Sequence, residues 1–337
     1  MRDFSQIVAQ PPIALMQLEE IRALVSDDLK RVDETIVDRL ASDVVLVNQI
    51  SQYIVGGGGK RLRPLSVVLA ARACGHQGSG HVAAAAIIEF IHTSTLLHDD
   101  VVDGSDKRRG RDTANHVFGN QASVLVGDYL YSRSFQMMVE LDDMRIQAVM
   151  ADATNTIAAG EVLQLLNVHD PDTTEERYFE VIYRKTAKLF EAGAQVAAIL
   201  SAAPASVESA MVAYGRHLGT AFQLVDDVLD YTASAEALGK HLGDALAEGK
   251  PTLPVIHTLA HATPEQAARL RAAIEQGGVG DLDDVTRLIQ GSGGLEYTAR
   301  RAQREKDAAV AALEAVPASR YRDGLAALAE FAVARTY

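Results

Sequence analysis

Two copies of the pattern D-D-x-x-D, each closing a long run of small and apolar residues, constrain this chain more than any other feature. The first is Asp99-Asp100-Val101-Val102-Asp103; the second, Asp226-Asp227-Val228-Leu229-Asp230, comes 127 residues later. Positions four apart are neighbours on a helix, so Asp99 and Asp103 share a face, as do Asp226 and Asp230. Carboxylates crowded on one face repel, and the C-terminal end of a helix is the wrong pole for negative charge. The arrangement becomes favourable when hard cations such as Mg²⁺ are shared, because these take oxygen ligands. One such cluster in an acidic protein is equally well read as a solvated helix face. Two matched clusters, each after an apolar helical run, are not, and a fold that uses both brings two helix ends together.

Five residues beyond Asp103 stand Arg108 and Arg109. Arginine meets phosphate oxygens with a planar fork of donors, so acid followed by twin arginine points to metals and a phosphorylated ligand held together. Upstream, four glycines at 56–59 end a helical stretch and allow close backbone approach to a ligand. Lys60-Arg61-Leu62-Arg63-Pro64 follows, with Pro64 suited to a first helical turn. Helix N-termini and flanking cations attract phosphate. Alone, this stretch reads equally as a helix end with surface cations.

The remaining chain reads as helix. Apolar residues recur at helical spacing over 14–41, 44–55, 79–102, 120–140, 144–167, 174–202 and 206–232. Shorter helices are expected at 252–261, 264–276, 281–290, 293–315 and 319–335, with a polar loop at 105–117. Strand alternation of useful length, a solenoid repeat and a Pro/Ser-rich linker are all missing from the sequence. The expectation is one all-α bundle over 1–337, with 1–12 as a flexible leader. A net charge of −13 argues against non-specific nucleic-acid binding. Cys74 is the only cysteine, which excludes an internal disulfide framework. With no apolar signal core and no run of about 18 apolar residues, a cytoplasmic protein without a transmembrane segment is expected.

Taken in order, G-G-K-R-L-R-P, the first cluster, D-K-R-R-G, R-K-T-A and F-Q-L-V-D-D-V-L-D resemble the trans-type (E) polyprenyl diphosphate synthases. The stretches I-E-F-I-H-T-S-T-L-L-H-D-D-V-V-D and E-G-K-P-T-L-P are most similar to bacterial long-chain members, the octaprenyl to decaprenyl synthases that supply quinone side chains. The resemblance implies an orthogonal helical bundle of isoprenoid synthase type around a deep apolar cavity. It implies successive condensation of isopentenyl diphosphate onto an allylic diphosphate, with about three Mg²⁺ ions, in a homodimer with transient membrane contact for product release. Asp99, Asp103 and Asp226 would ligate metal, supported by Asp100 and Asp230, with Asp244 acting through water. Arg108, Lys185 and Lys240 would bind the allylic diphosphate. Lys60, Arg63, His92 and Arg109 would hold isopentenyl diphosphate. Thr186 and Gln223 would place oxygen dipoles near the allylic cation.

Two positions depart from the family pattern: Ala245 follows Asp244 where a second Asp is frequent, and Gln164 stands where short-chain members tend to carry Asp. His92, one helical face away from the clusters, also reads as a core histidine, and Lys185 as a surface lysine. Alternatives to a long-chain synthase are a geranylgeranyl or farnesyl diphosphate synthase, a class I terpene cyclase and a non-catalytic synthase subunit. Product length is expected to follow the 79–102 helix away from Asp99, past Ser94, Ile91, Ile87 and Ala84, with Ser94 and Thr95 small enough to leave the tunnel open.

Overall fold

The computed structural model describes residues 16–57, 59–108, 110–232, 243–277 and 282–335. Arg109 and Lys240, both expected at the site, lie outside these residues, as do Gly58 and the expected leader. Helices fall where apolar spacing placed them, at Gly80–Val102, Asn120–Glu140, Met144–Asn167 and Ala205–Thr232 among the longest. Their starts have local causes at several places. Thr174, Thr263 and Ser319 each accept a hydrogen bond from a first-turn backbone N–H, and Pro264 occupies a first-turn position whose N–H has no helical partner.

Three expected segments differ in detail. The 14–41 stretch divides into Leu18–Ala23 and Ser26–Leu40 where Val25 leaves helical geometry; the apolar spacing runs through the break, so periodicity does not mark it. The 174–202 stretch is Glu175–Ile182 and Lys188–Leu200 joined by a π-helical turn, Tyr183–Ala187. The 105–117 loop carries a small antiparallel ribbon, Lys107–Arg108 with Arg111–Asp112, and the short helix Ala114–Phe118.

Gly80–Val102 is the central element. It packs on Asn120–Glu140, Leu62–Ala73, Ser26–Leu40 and Lys188–Leu200. It is long and apolar enough to cross a membrane by length and composition, but 67% of its most apolar window is buried inside the molecule, which marks a core helix. Ile87, Ile88, Phe90, Ile91 and Leu97 are all buried, each full burial contributing roughly 1.5–3 kcal/mol. Ala205–Thr232 is linked to it through Lys188–Leu200, which packs on both, and enters three apolar clusters. Met211, Tyr214 and Leu218 join the main core; Leu224 and Leu229 pack with Tyr178 and Ile182; Val228 and Tyr231 pack with Leu270 and Ile289. At Gly215 this helix approaches Lys188–Leu200 so closely that a Cβ would stand 2.5 Å from the Phe190 carbonyl oxygen. Both cluster-bearing helices are therefore fixed along their length by the core, and their C-terminal ends are delivered to one side of it.

Candidate active site

The two cluster-bearing helices end on a cavity of about 820 Å³. Asp99, Asp103, Asp226, Asp230 and Asp244 line it, together with Lys60, Arg63, His92, Arg108, Lys185, Thr186 and Gln223. Sequence-distant residues thus meet as the two Asp motifs required. Apolar walls come from Ile54, Val55, Leu62, Leu96, Ile182 and Phe222.

Three carboxylates in the cavity each face a cation. Lys185 Nζ lies 3.4 Å from Asp99, Lys250 Nζ 2.8 Å from Asp103, and an Arg335 guanidinium nitrogen 2.6 Å from Asp226. Lys185 also donates to Glu161 at 2.5 Å and to Gln164 at 2.8 Å. Burial pushes the Glu161 carboxyl up to about 7, against the pull of Lys185. Burial alone would lower the Lys250 ammonium, but Glu248 and Asp103 beside it raise it above the ordinary lysine value. Among the described residues no three His, Cys, Asp or Glu side chains converge on a single point. The carboxylates are turned onto these cations instead. The donor set itself, carboxylate oxygens from three segments around one cavity, is the chemistry that suits a hard divalent cation.

The middle Asp of each cluster behaves differently from its neighbours. Asp100, expected to support metal, is buried and does not line the cavity; it accepts from Arg108 at 2.7 and 2.8 Å. Its position one residue, about 100°, round the helix from Asp99 turns it inward. Its place is to hold Arg108, which does reach the cavity. Asp227 accepts from Tyr178 Oη at 2.5 Å and from Gln223 Nε2 at 2.9 Å, and burial pushes its carboxyl up to about 7. Thr186 in turn donates to Gln223 Oε1 at 2.9 Å.

His92 is on the Asp99 face, not a face away, because seven residues make close to two turns. Its Nε2 lies 3.1 Å from an Arg63 nitrogen, and the Arg63 guanidinium sits 4.7 Å over the Phe190 ring. Asp230 accepts from the Ala245 N–H at 3.2 Å, so at position 245 the backbone supplies the contact whatever the side chain.

The residues expected along the tunnel are separate from this cavity. Ser94, Ile91, Ile87 and Ala84 are buried and absent from the cavity wall, which on this helix consists of Glu89, His92, Thr93, Thr95, Leu96, Asp99 and Asp103. Ser94 instead donates to the Gly127 carbonyl of Asn120–Glu140 at 2.8 Å. Five residues back from Asp99 is about 140° away around the helix, whereas four back, at Thr95, is nearly in line.

Lys250, Glu161 and Tyr178 are cavity residues to which the sequence reading gave no role; Arg335 belongs to the C-terminal Ala334-Arg335-Thr336-Tyr337 expected to approach the site, of which Thr336 and Tyr337 lie outside the described residues. Lys250 lay within E-G-K-P-T-L-P, where a single lysine between Gly and Pro has no periodicity to flag it. Arg335 is reached only through tertiary packing: its guanidinium lies 3.8 Å over the Phe222 ring and donates to the Phe222 carbonyl.

With this geometry, the chain belongs to the polyprenyl synthetase family, whose model matches residues 44–290. It is a prenyltransferase. The octaprenyl diphosphate synthase of Escherichia coli (strain K12) is 56% identical over 95% of this chain and 99% of its own length. That of Haemophilus influenzae is 53% identical over 96% and 98%. A polyprenyl synthase from Caulobacter crescentus, solved in complex with calcium and isoprenyl diphosphate, superposes with a TM-score of 0.93 at 41% identity, covering 97% of this chain and 100% of the other.

Proposed function

We propose that this enzyme condenses isopentenyl diphosphate repeatedly onto an allylic diphosphate and releases an all-trans product in the octaprenyl to decaprenyl range, for a quinone side chain. The single observation that carries the reading is one cavity walled by both Asp clusters and by basic side chains from several segments. Arg108 and Lys185 stand beside the first cluster, and Lys60, Arg63 and His92 also line the cavity, with Arg63 beside His92. That many basic side chains suit two diphosphates. Arg108 and Lys185, with Lys240, hold the allylic diphosphate; Lys60, Arg63 and His92, with Arg109, hold isopentenyl diphosphate. Asp99, Asp103 and Asp226, with Asp230 and Asp244 in support, would hold Mg²⁺, which would supply Lewis-acid neutralisation of the leaving diphosphate. Leu96, Ile182 and Phe222 exclude water from the allylic cation, and Thr186 and Gln223 turn oxygen dipoles toward it. The alkene of isopentenyl diphosphate attacks the cation, and the released diphosphate takes the proton.

Further readings have their own support. Ala205–Thr232 feeds all three apolar clusters, which favours a single folding unit. Val124, Leu125, Phe135 and Val139 expose an apolar stripe on Asn120–Glu140, with Val162, Leu165 and Leu166 exposed on Met144–Asn167; a second copy of the chain fits such surfaces. A cytoplasmic enzyme that touches a membrane only to release product agrees with the burial of its most apolar helix. The test is incubation of pure protein with Mg²⁺, isopentenyl diphosphate and farnesyl diphosphate, followed by chromatography of the products. Octaprenyl or longer product is expected, none with chelator. A product that stops at geranylgeranyl length would establish the short-chain alternative instead.

A further inference from the structure

The π-helical turn Tyr183–Ala187 carries Lys185 and Thr186, and it is gripped from two sides at glycines. On Met144–Asn167, a Cβ added to Gly160 would stand 2.6 Å from Arg184 Cβ and 3.0 Å from the Lys185 nitrogen. On Ala205–Thr232, a Cβ added to Gly219 would stand 2.5 Å from Ala187 Cα. Real Cβ atoms do not approach that closely, so both helices reach the turn's backbone only because these residues are glycine. One helical turn beyond each glycine is a glutamine that meets the turn's functional side chain. Gln164 accepts from Lys185 at 2.8 Å, and Gln223 accepts from Thr186 at 2.9 Å. The two helices present the same pattern, Gly160-Glu161-Val162-Leu163-Gln164 and Gly219-Thr220-Ala221-Phe222-Gln223.

We propose that these paired Gly-x-x-x-Gln faces are a positioning clamp for the primer subsite: Gly160 and Gly219 set the height of the π turn, and Gln164 and Gln223 set the directions of Lys185 and Thr186. A π turn places an extra residue in a helix and leaves its backbone bonding irregular, so it needs outside support to hold one geometry. The clamp supplies that support at the backbone, and the glutamines fix the side chains on the same two helices. This rests on the assignment of Lys185 to the allylic diphosphate.

The test is steric complementation. Gly160→Ala should push the turn away from Met144–Asn167 and weaken the Lys185 contact. The KM for the allylic primer should rise about tenfold, the equivalent of one charge-assisted hydrogen bond, while that for isopentenyl diphosphate stays within twofold. Arg184→Gly removes the closest atom that the new methyl meets and leaves the Lys185 nitrogen at 3.0 Å, so the double variant Gly160→Ala/Arg184→Gly should recover part of the primer affinity. Unchanged constants in a folded Gly160→Ala protein, or equal rises in both KM values, overturn the clamp. So does failure of the double variant to recover. If Gly160→Ala does not fold, amide exchange on the unaltered enzyme decides. Residues 183–187 should exchange as slowly as Lys188–Leu200, and fast exchange confined to the turn overturns the proposal. Lys185→Ala separates the two levels: an unchanged primer KM there refutes the Lys185 assignment, whatever Gly160→Ala does.

Discussion

The two Asp clusters share a sequence pattern and solve opposite electrostatic problems. In both, the outer residues face the cavity and the middle one is buried, although Asp227 still reaches the cavity wall and Asp100 does not. Asp100 is buried against a guanidinium and serves as the anchor of Arg108. Asp227 is buried against a phenol and an amide, neutral donors that leave the cost of its charge largely uncompensated. Its carboxyl is pushed up to about 7 for that reason. The same motif thus yields one ion-paired anchor and one link, with a raised carboxyl, in a chain that runs Thr186, Gln223, Asp227, Tyr178. Identical spacing determines which residue turns inward; the partner it meets there determines the chemistry.

The largest effect should come from the outer residues, where the clusters are alike. Asp99→Ala and Asp226→Ala should each lower turnover at least about a thousandfold, the loss of several kcal/mol of transition-state stabilisation, with the fold retained. Steady-state kinetics with a melting curve checks this. Near-normal turnover in either folded variant removes the metal-bridge assignment for that cluster and ends the symmetry between them.

The middle residues should then separate the clusters. Asp100→Asn leaves the Arg108 guanidinium without its counter-charge and should destabilise the protein by about 2 kcal/mol, below the usual range for a buried pair because Arg108 is partly exposed. It should also raise the KM for the allylic primer, since Arg108 loses its hold. Urea unfolding and primer titration measure the two effects. Stability equal to the unaltered protein would mean that the Asp100–Arg108 pair contributes nothing.

Much of this was legible in the chain. The helices and their meeting at the clusters follow from apolar spacing and carboxylate repetition, which are local properties. The contacts of Asp100 with Arg108 and of Ser94 with Gly127 were not, because motif counting treats neighbouring positions as equivalent while a helix turns each by about 100°. Arg335, brought onto Asp226 from the end of the chain, depends on packing of Arg320–Ala334 that no spacing encodes. The π turn was also hidden: Y-R-K-T-A continues the helical pattern on either side, and the glycines that grip it lie on other helices.

A smaller effect tests the neutral character of Asp227. Its folded pKa lies above its unfolded value, so between about pH 4 and pH 7 the folded state keeps a proton that the unfolded chain has released. Stability of the metal-free protein should therefore fall as pH rises through that window. Asp227→Asn removes the titration, and the network accepts it if the Gln223 amide flips so that donors and acceptors still match. The variant should equal the parent near pH 4 and exceed it by about 2 kcal/mol at pH 8, roughly half of what the full shift would give. Urea midpoints across pH decide, and parallel profiles for the two proteins would show that Asp227 is ionised in the folded state throughout.

The smallest effect on rate, and the one confined to product, concerns the residue one turn before each cluster. It is Thr95 before Asp99 and Phe222 before Asp226, and both line the cavity. The second helix therefore presents an aromatic wall while the first presents a small one, whose hydroxyl is satisfied by its own His92 carbonyl at 2.8 Å. A growing apolar chain leaving the Asp99 mouth is expected to pass on the Thr95 side. Thr95→Phe gives both walls an aromatic ring and should shorten the main product to farnesyl or geranylgeranyl length, with the first condensations nearly unchanged. Ser94→Phe is the matched control, because Ser94 is packed against Gly127 and outside the cavity wall. It should cost about 1–3 kcal/mol by overpacking and leave product length alone. Chromatography of products beside melting curves reads both variants. Shortening by Ser94→Phe with no change from Thr95→Phe would place the chain on the opposite face of the helix.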